Sequence, residues 1–413
     1  MKISVLTLGC KVNECESRSI ITALKEAGQD VIEEILPADY YVINTCSVTN
    51  EADRKSRQMI GKATKANPNA KIFVCGCSSE RNPKIYEKYK NVVHISGNAN
   101  KYDVFKCIVS DISECFSKNN INNLPLVFEE LPTPYHAKTR DYIKIQDGCN
   151  NFCSYCIIPY VRGRSRSRTI DSILSEVEIS SKRTKEIVLT GIDVSSYGKD
   201  IGSSLTELVK SLSDFPIRKR LSSFECTVIT DELLSALKSS HFCDHFHLSL
   251  QSGSDKTLKA MNRRYDTQTY FNIVQKIRSY FPNAGITTDV ITGFPTETEK
   301  DFLDTLSFIK TVGFSDIHVF PYSEREGTKA SKLPQLPMCE RRARARELLK
   351  IKEESKKSFL LKQIGQELSV YYEESENGVS CGYAENYTKV YGDGIPGQIQ
   401  TKIISKIFEE GVK

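Results

Sequence analysis

Between residues 141 and 320 the chain alternates six times between a short apolar segment and a helical pattern, and no other feature limits its fold as much. Such alternation is typical of parallel strands joined by crossover helices. Six units predict a partial (β/α)6 barrel whose site lies at the carboxyl ends of its strands. The predicted strands are residues 142–146, 186–190, 221–225, 245–250, 286–292 and 315–320, with helices such as 170–181 and 298–312 between them.

The first 117 residues show a similar alternation of predicted strands and helices. Predicted strands at 3–8, 40–44, 71–74 and 92–95 alternate with helical patterns at 16–27 and 51–66. This pattern predicts an N-terminal, Rossmann-like α/β domain built on a parallel sheet.

Two further changes in residue composition and pattern divide the rest of the chain. Residues 118–139 are polar and rich in proline, which indicates a linker before the central domain at 140–357. That domain ends in a charged helix at 340–357. The tail, 358–413, has short strands at 368–372, 379–383, 387–391 and 399–404 separated by glycines, and predicts a small all-β barrel.

Composition narrows the class of protein. Fourteen cysteines in 413 residues do not suit a disulfide framework, because such frameworks belong to short secreted chains, and we expect a reducing compartment. No stretch reaches the ~18 to 20 apolar residues that span a membrane, so we expect a cytoplasmic protein. A net charge of +5 permits a nucleic-acid partner without requiring one.

Three cysteines, Cys149, Cys153 and Cys156, follow the first strand of the central domain in a CxxxCxxC spacing. Three thiolates would hold a four-iron cluster and leave one iron open to a small molecule. Zinc sites usually add a second Cys or His pair, and none follows within about forty residues. The spacing therefore favours an iron–sulfur cluster over a zinc knuckle.

Three more cysteines each follow one of the first three N-terminal strands: Cys10, Cys46 and either Cys75 or Cys77. The carboxyl ends of neighbouring parallel strands meet at one edge of a sheet, where ligands bind. These thiols could thus form a second three-thiolate site. The alternative is that they are buried core cysteines, which are common.

The residues around these cysteines resemble the radical S-adenosylmethionine (SAM) methylthiotransferase family. The resemblance rests on residues 149–168, on Leu-Gly-Cys-Lys-Val-Asn at 8–13, on Asn-Thr-Cys-Ser-Val at 44–48 and on Gly76-Cys77. The tail resembles the family's RNA-binding TRAM module. The resemblance implies two [4Fe-4S] clusters, and it selects Cys77 over Cys75. The implied metal-binding and catalytic residues are Cys10, Cys46, Cys77, Cys149, Cys153 and Cys156.

Within that family, residues 8–14 are similar to the branch that methylthiolates C2 of N6-threonylcarbamoyladenosine at position 37 of tRNA. The isopentenyladenosine branch tends to have Gln-Met where Lys11-Val12 stand, and the ribosomal-protein branch tends to have Pro-Lys. The resemblance implies that SAM is both methyl donor and radical source. Those two branches remain alternatives, with a non-catalytic iron–sulfur RNA-binding or electron-carrier protein as a remote one.

The resemblance also suggests SAM contacts at the mouth of the barrel. An aromatic residue near adenine, polar strand ends for the ribose and amino groups, and an arginine for the carboxylate are the expected types. The alternative for each is ordinary turn chemistry at a strand end. The candidates are Tyr155, Thr190, Asp193, Gln251, Ser252 and Arg264.

The implied partners are a tRNA anticodon stem-loop, an electron donor and a sulfur donor, with no membrane and a monomeric protein. Arginines between Arg162 and Arg168 could hold stem phosphates, or serve SAM or a domain interface. The charged helix at 340–357 could contact RNA or be a solvated face. The tail tyrosines could stack on bases or pack a thin core; they are Tyr371, Tyr372, Tyr383, Tyr387 and Tyr391, interleaved with Lys389 and Lys402.

Overall fold

The computed structural model describes residues 1–99, 101–110, 124–134 and 139–413. The N-terminal region forms one parallel five-stranded sheet in the order β2-β1-β3-β4-β5. Its strands are β1 (Lys2–Thr7), β2 (Asp30–Ile32), β3 (Tyr40–Thr45), β4 (Lys71–Gly76) and β5 (Val92–Ile95). Its helices are α1 (Lys11–Glu26), α2 (Asn50–Ala66), α3 (Cys77–Arg81), α4 (Lys84–Glu87) and α5 (Asp103–Ser110).

The four strands predicted here are present, and β2 is an addition. It has three residues, none of them fully buried, and pairs with β1 at the edge of the sheet. So short an edge strand lacks the alternation that a sequence pattern needs. Apolar residues on both faces of the sheet bury it between α1 and α5 on one side and α2 on the other.

The central region carries six parallel strands in chain order. They are β6 (Asp141–Lys144), β9 (Glu186–Thr190), β10 (Arg218–Leu221), β11 (His245–His247), β12 (Gly285–Thr292) and β13 (Asp316–Pro321). They form two sheets, β10-β9-β6 and β11-β12-β13, which isolated bridges connect between β10 and β11. A short antiparallel pair, β7 (Gln146–Asp147) and β8 (Arg166–Ser167), flanks the loop after β6.

Helices join these strands. They are α6 (Ile158–Val161), α7 (Ile170–Ser181), α8 (Leu205–Ser211), α9 (Asp231–Ser239), α10 (Asp255–Ala260), α11 (Thr267–Tyr280) and α12 (Glu299–Val312), with 3₁₀ turns at Val194–Ser196, Cys226–Val228 and Ala330–Lys332. The strand predicted at 221–225 instead lies at Arg218–Leu221. Its first three residues are Arg-Lys-Arg, so no apolar pattern marked it; Arg218 and Arg220 are buried because they pair with Glu186.

The two faces of the six strands differ sharply. One face packs on the helices through residues such as Ile143, Leu189, Phe246 and Ile317, which belong to the main core. Because side chains alternate along a strand, the intervening residues point the other way. They form what we call the polar face: Tyr142, Lys144, Glu186, Arg220, His245, His247, Thr287, Asp289 and His318.

Helix α1 of the N-terminal region lies against the polar face at β6. The Lys144 Nζ is 2.7 Å from the Glu16 carboxylate, and the Cys15 thiol donates to the Tyr142 carbonyl at 3.2 Å. The N-terminal sheet therefore covers one side of the polar face, and Cys10 at the start of α1 lies close to it.

The tail follows the long helix α13 (Met338–Gln363). It consists of β14 (Glu367–Glu376), β15 (Val379–Ala384), β16 (Lys389–Gly392), β17 (Ile399–Ile403), β18 (Ile407–Phe408) and β19 (Gly411–Val412). These strands form one mainly antiparallel sheet, in the order β17-β14-β15-β16-β19-β18.

The tail docks at the amino ends of the central strands. Arg218 and Arg220, which open β10, donate to the carbonyls of Tyr383 and Ala384 at 3.0 and 2.7 Å. The Tyr387 ring stacks on His245, the first residue of β11, with centroids 4.5 Å apart. The cysteine loop after β6 lies at the opposite, carboxyl ends.

The predicted linker at 118–139 falls partly outside the described residues, and its boundary at 117 lies outside them. The part that is described, 124–134, contains neither helix nor strand. It runs past the central region, where Glu130 pairs with Arg168 at 3.0 Å. Within the described ranges, every helix is too short or too polar to cross a lipid bilayer.

Candidate functional site

The CxxxCxxC loop leaves β7 and is held by the backbone on both sides. Cys149 N donates to the Gly163 carbonyl at 3.1 Å, and Ser154 N donates to the Met261 carbonyl at 3.0 Å. Gly148 begins the loop with a φ of 70°, and a Cβ there would collide with the Arg164 carbonyl. The chain therefore needs glycine before the first cysteine. The three cysteines are half-buried.

Polar groups lie against two of these thiols. Cys149 Sγ donates to Asp193 Oδ2 at 3.6 Å, and Arg263 Nη1 donates to Cys153 Sγ at 3.4 Å. Burial raises the pKa of Cys156 to about 12, with the neighbouring Cys153 thiol adding to the shift. Thiols crowded in this way become thiolates when a metal supplies the opposing charge, so the donor set suits a cluster.

The second triplet meets at the carboxyl edge of the N-terminal sheet. Cys10 precedes α1, Cys46 follows β3, and Cys77 begins α3 after β4. Burial raises the pKa of Cys46 to about 12, and the charges of Cys77 and Cys10 raise it further. At Gly9, with φ of 106°, a Cβ would lie 2.9 Å from Cys46 Sγ. Cys46 thus packs tightly against Gly9, and the charges of Cys77 and Cys10 act on it, so this donor set suits a second cluster.

Cys75 lies elsewhere, although it is two residues from Cys77. Its side chain is fully buried in the apolar core with Val5 and Ile20. Burial raises its pKa to about 12. Cys77 instead packs beside Ile157 and Val161 of the central region. Strand β4 ends at Gly76, whose φ is 103°, and Cys77 begins α3, so the chain leaves the strand between the two thiols.

Arg162 joins the two cysteine triplets. Its side chain is 0% exposed, and Nη1 lies 3.0 Å from both Glu16 and Asp147. Glu16 is on α1, after Cys10, while Asp147 precedes Cys149 by two residues. Burial alone would raise the pKa of Glu16, but the charges of Arg162, Lys101 and Lys144 hold it well below its usual range. A buried ionic network therefore connects the segments that carry the triplets.

This network corrects the phosphate interpretation of residues 162–168. Arg162, Arg166 and Arg168 are buried and pair with carboxylates. Arg162 serves the domain interface through Glu16, whereas Arg166 and Arg168 pair with Asp147 and Glu176 of the central region. Arg164 is exposed, with its guanidinium 4.5 Å from the Phe152 ring.

The predicted SAM residues separate into two groups. Asp193 and Arg264 line one cleft of about 420 Å³ beside Cys149, together with Asn151 and Glu225. Asp193 also accepts from Asn151 Nδ2 at 3.1 Å. Of all the candidates, this pair most clearly faces open space next to the cysteine loop.

The other four predicted SAM residues do not line this cleft. Tyr155 packs against Met261, Phe294 and Tyr322. Thr190 is buried at the end of β9, and Gln251 is 9% exposed with a φ of 70°. Ser252 is fully buried beside Thr305.

Sequence reasoning missed Arg263 and Glu225. They form an ion pair at 2.9 Å, and Glu225 also accepts from Asn151 Nδ2 at 3.1 Å. Arg263 further donates to the Ser249 carbonyl at 3.1 Å. It thus links the cysteine loop to two strand ends. Only its position beside Arg264 hinted at it, and charge alone could not distinguish the two arginines.

The tail tyrosines are mostly structural. Tyr371, Tyr372 and Tyr391 are buried, and Tyr383 stacks on Tyr387 at 4.8 Å. Both lysines between them are paired: Lys389 with Glu410 at 2.5 Å and Lys402 with Asp393 at 2.8 Å. These contacts favour the thin-core interpretation, extended to the interface with β11.

The charged helix α13 is divided in the same way. Arg341 and Arg344 are buried, and Arg344 pairs with Glu297 at 2.6 Å. Arg342, Arg346 and Lys350 are exposed. The helix therefore has one structural basic face and one solvated basic face.

Two family models match the chain. The Radical SAM superfamily model matches residues 143–309, and the model described as "Uncharacterized protein family UPF0004" matches residues 2–97. These segments contain the two cysteine triplets.

Similar curated proteins extend over nearly the whole chain. The threonylcarbamoyladenosine tRNA methylthiotransferase MtaB of Bacillus subtilis is 36% identical and covers 98% of this chain and 93% of its own length. That of Thermotoga maritima is 37% identical, covering 99% and 96%. A tRNA-2-methylthio-N(6)-dimethylallyladenosine synthase of Thermoanaerobacter is 38% identical, covering 79% and 72%.

Solved structures match at the level of the fold. The radical S-adenosylmethionine methyltransferase TsrM of Kitasatospora setae, solved with cobalamin and a [4Fe-4S] cluster bound, has a TM-score of 0.60 at 12% identity. The match covers 80% of this chain and 77% of TsrM. The cobalamin-dependent enzyme OxsB has a TM-score of 0.53 at 11% identity, covering 86% and 56%.

Proposed function

Because this chain belongs to the radical SAM family of tRNA methylthiotransferases, we propose that it methylthiolates C2 of N6-threonylcarbamoyladenosine at position 37 of tRNA. The product is 2-methylthio-N6-threonylcarbamoyladenosine. One observation carries the proposal: two triplets of thiols flank α6 and are joined by the buried Arg162 network. Two three-thiolate centres close together suit a reaction in which one activates SAM and the other delivers sulfur.

The extent of the similarity supports the threonylcarbamoyl branch. Five proteins named for that substrate match 94–99% of this chain. Three named for dimethylallyladenosine match 79–87%. The relatives that match the chain most fully thus share one substrate name.

We assign one [4Fe-4S] cluster to Cys149, Cys153 and Cys156, and a second to Cys10, Cys46 and Cys77. When bound, these groups supply an electron to cleave SAM and a sulfur atom to be transferred, chemistry that side chains alone cannot perform. The protein's part is to hold and orient them. The fixed loop after β7 holds one set of thiols, and the neighbouring strands β1, β3 and β4 bring the other set together. Arg162 links the segments that carry the two sets.

SAM would lie in the cleft beside Cys149. Asp193 offers a carboxylate to a hydroxyl or amino group, and Arg264 offers a guanidinium to a carboxylate. Arg263 acts as a positioning residue, since it holds both Glu225 and the Cys153 thiol. Tyr155, Thr190 and Gln251 would shape the protein surface around the bound SAM. Ser252 would act through its turn, because its hydroxyl already bonds inside the fold.

The tail is proposed as a TRAM-like module that contacts tRNA outside the reacting base. Its all-β architecture supports this assignment, while its docking at the amino ends of the strands separates it from the cysteine loop. The exposed Arg164 lies on the loop side and is available to a phosphate. The reaction further requires an electron donor and a sulfur donor, and we propose a monomer acting in the cytoplasm.

The test is mass analysis of tRNA nucleosides from cells that lack the methylthiolated form, with and without this protein. We expect threonylcarbamoyladenosine to gain a methylthio group. A gain on isopentenyladenosine would keep the enzyme class and overturn the substrate. If neither nucleoside changes, the ribosomal-protein substrate or a non-catalytic role is favoured, and SAM cleavage under anaerobic, reducing conditions separates those two.

In the same assay, Cys77→Ala should abolish the product. Cys75→Ala is the matched control. The Cys75 thiol lies in the apolar core and is not a proposed cluster ligand, so its loss should leave the product unchanged. The reverse pattern would overturn the assignment of Cys77.

A further inference from the structure

Lys11 lies between the two halves of the candidate site. It directly follows Cys10 and is the first residue of α1. Its side chain is exposed, and Nζ lies 5.6 Å from the centre of the Tyr142 ring. Tyr142 is half-buried on the polar face of β6, the strand that leads to Cys149. The ammonium group therefore lies against the polar face, on the residue that directly follows Cys10.

No carboxylate among the described residues forms an ion pair with Lys11. Other cations around α1 are neutralised: Lys144 and Arg162 share Glu16, and Arg18 pairs with Glu33 at 2.8 Å. A tyrosine ring attracts an ammonium without cancelling its charge. Lys11 is thus held in place with its charge available to a ligand.

The surroundings of Lys11 are positive. Burial lowers the pKa of Lys11, and the positive charges of Arg140 and Arg220 lower it further. These two arginines and Arg218 share Glu186, and Arg140 also contacts Glu373. Lys11 and three arginines thus lie beside two carboxylates, which leaves a net positive region. An anion entering here would be attracted, and the attraction is stronger where water is excluded.

We propose that Lys11 binds the free carboxylate of the threonylcarbamoyl group and so selects this substrate over an alkylated adenosine. The inference rests on the proposed function and names the contact that discriminates. A threonylcarbamoyl group carries a carboxylate, whereas a dimethylallyl group is a hydrocarbon. An ammonium–carboxylate contact beside Cys10 would hold the modified base between the two triplets.

The direct test is RNA binding by the holoprotein under anaerobic conditions. Three anticodon stem-loops are compared by fluorescence anisotropy, with threonylcarbamoyladenosine, dimethylallyladenosine or plain adenosine at position 37. Lys11→Gln should weaken binding of the first by about tenfold, the scale of one charge-assisted hydrogen bond. Binding of the other two RNAs should stay within about twofold, and Lys11→Arg should retain most of the affinity because it keeps the charge.

Lys25→Gln is the matched control. Lys25 is exposed on the last turn of the same helix, far along α1 from Cys10. It should leave all three affinities unchanged. Equal losses of Lys11→Gln on all three RNAs, or no loss on any, would overturn the proposal.

A second measurement removes the charge from the ligand. Wild-type protein should bind the methyl ester of the threonylcarbamoyl stem-loop about tenfold more weakly than the free acid. This test remains valid if Lys11→Gln loses iron. Equal affinity for ester and acid contradicts the role of Lys11. Failure of the proposed function itself would be seen separately, as tRNA from expressing cells without methylthio-threonylcarbamoyladenosine.

Discussion

The two cysteine triplets reach similar arrangements by different routes. Cys149, Cys153 and Cys156 occupy eight consecutive residues in one loop, held by local backbone bonds. Cys10, Cys46 and Cys77 come from the ends of three strands and meet only because β1, β3 and β4 are neighbours in the sheet. The first triplet is therefore a property of a loop, and the second is a property of a fold.

This difference predicts different sensitivities. A loop site tolerates distant changes so long as its own backbone bonds persist. A site at a sheet edge depends on the packing of every element that brings a ligand to it. Substitutions at the thiols, at the Arg162 network and at the sheet edge test this contrast.

The largest effect is expected from removing one thiol of each triplet. Cys153→Ala should abolish both SAM cleavage and product formation. Cys46→Ala should also abolish the product but retain SAM cleavage to 5′-deoxyadenosine, since the loop triplet is intact. Each variant should hold about half the iron of the wild type. Chromatography of deoxyadenosine and an iron assay measure both, and loss of cleavage in both variants would deny that the triplets have separate roles.

The next effect is on stability, at the contact that joins the triplets. Arg162→Met leaves Glu16 and Asp147 buried without their shared guanidinium. Removing one partner of a buried ionic network costs about 3 to 5 kcal/mol, so the thermal midpoint should fall by several degrees. The exposed Arg164 offers the control, because Arg164→Ala should cost less than about 0.5 kcal/mol. Similar midpoints for the two variants would mean that the network does not hold the domains.

A smaller and more selective effect is expected at Gly9. Gly9→Ala places a Cβ 2.8 Å from the Cys46 Cβ at a φ of 106°, so the second triplet must move. Strain of this kind costs about 1 to 3 kcal/mol. Iron content should fall toward half while SAM cleavage persists. Gly28→Ala is the control, since Gly28 also has a positive φ but open space around it. If Gly28→Ala loses as much iron, backbone strain alone explains the result.

The same contrast explains what could be predicted from the sequence. The loop triplet was readable from spacing alone, because its ligands are adjacent. The sheet-edge triplet required the strand order as well, and the choice between Cys75 and Cys77 rested on resemblance. The end of β4 at Gly76 gives the physical reason for that choice, since Cys75 stays in the strand and the apolar core while Cys77 begins α3 outside it.

The features that could not be predicted from the sequence depend on buried ion pairs. Strand β10 begins with Arg-Lys-Arg and has no apolar pattern, yet Glu186 accepts both of its arginines. The arginines at 162–168 looked available to phosphate, and their carboxylate partners lie on other elements: Asp147 on β7, Glu176 on α7 and Glu16 on α1. Ion pairs between distant residues leave no periodic signal, so neither they nor the Arg263–Glu225 pair could be predicted.

The smallest effect expected is a pH dependence at the sheet-edge triplet. Glu80 on α3 is buried, and burial raises its pKa from 4.5 to about 7. The hydrogen bond that Asn98 N donates to the carboxylate lowers the pKa, but by less than burial raises it. The folded state therefore retains a proton that the unfolded state has lost between these pH values. Stability from this group is present below about pH 4.5 and is lost as the pH rises through about 7.

Glu80→Gln should remove this loss. At pH 8 the variant should be more stable than the wild type by on the order of 1 to 2 kcal/mol, and at pH 5 the two should be nearly equal. Thermal midpoints at both pH values measure the difference, with Glu26→Gln on the exposed end of α1 as a control that keeps the wild-type dependence. A variant less stable at pH 8 would mean that the Glu80 carboxylate is a required anion of the sheet edge. Burial also raises the pKa of Glu225 beside the loop triplet, so the part of the pH dependence that Glu80→Gln removes is the part that belongs to the sheet-edge triplet.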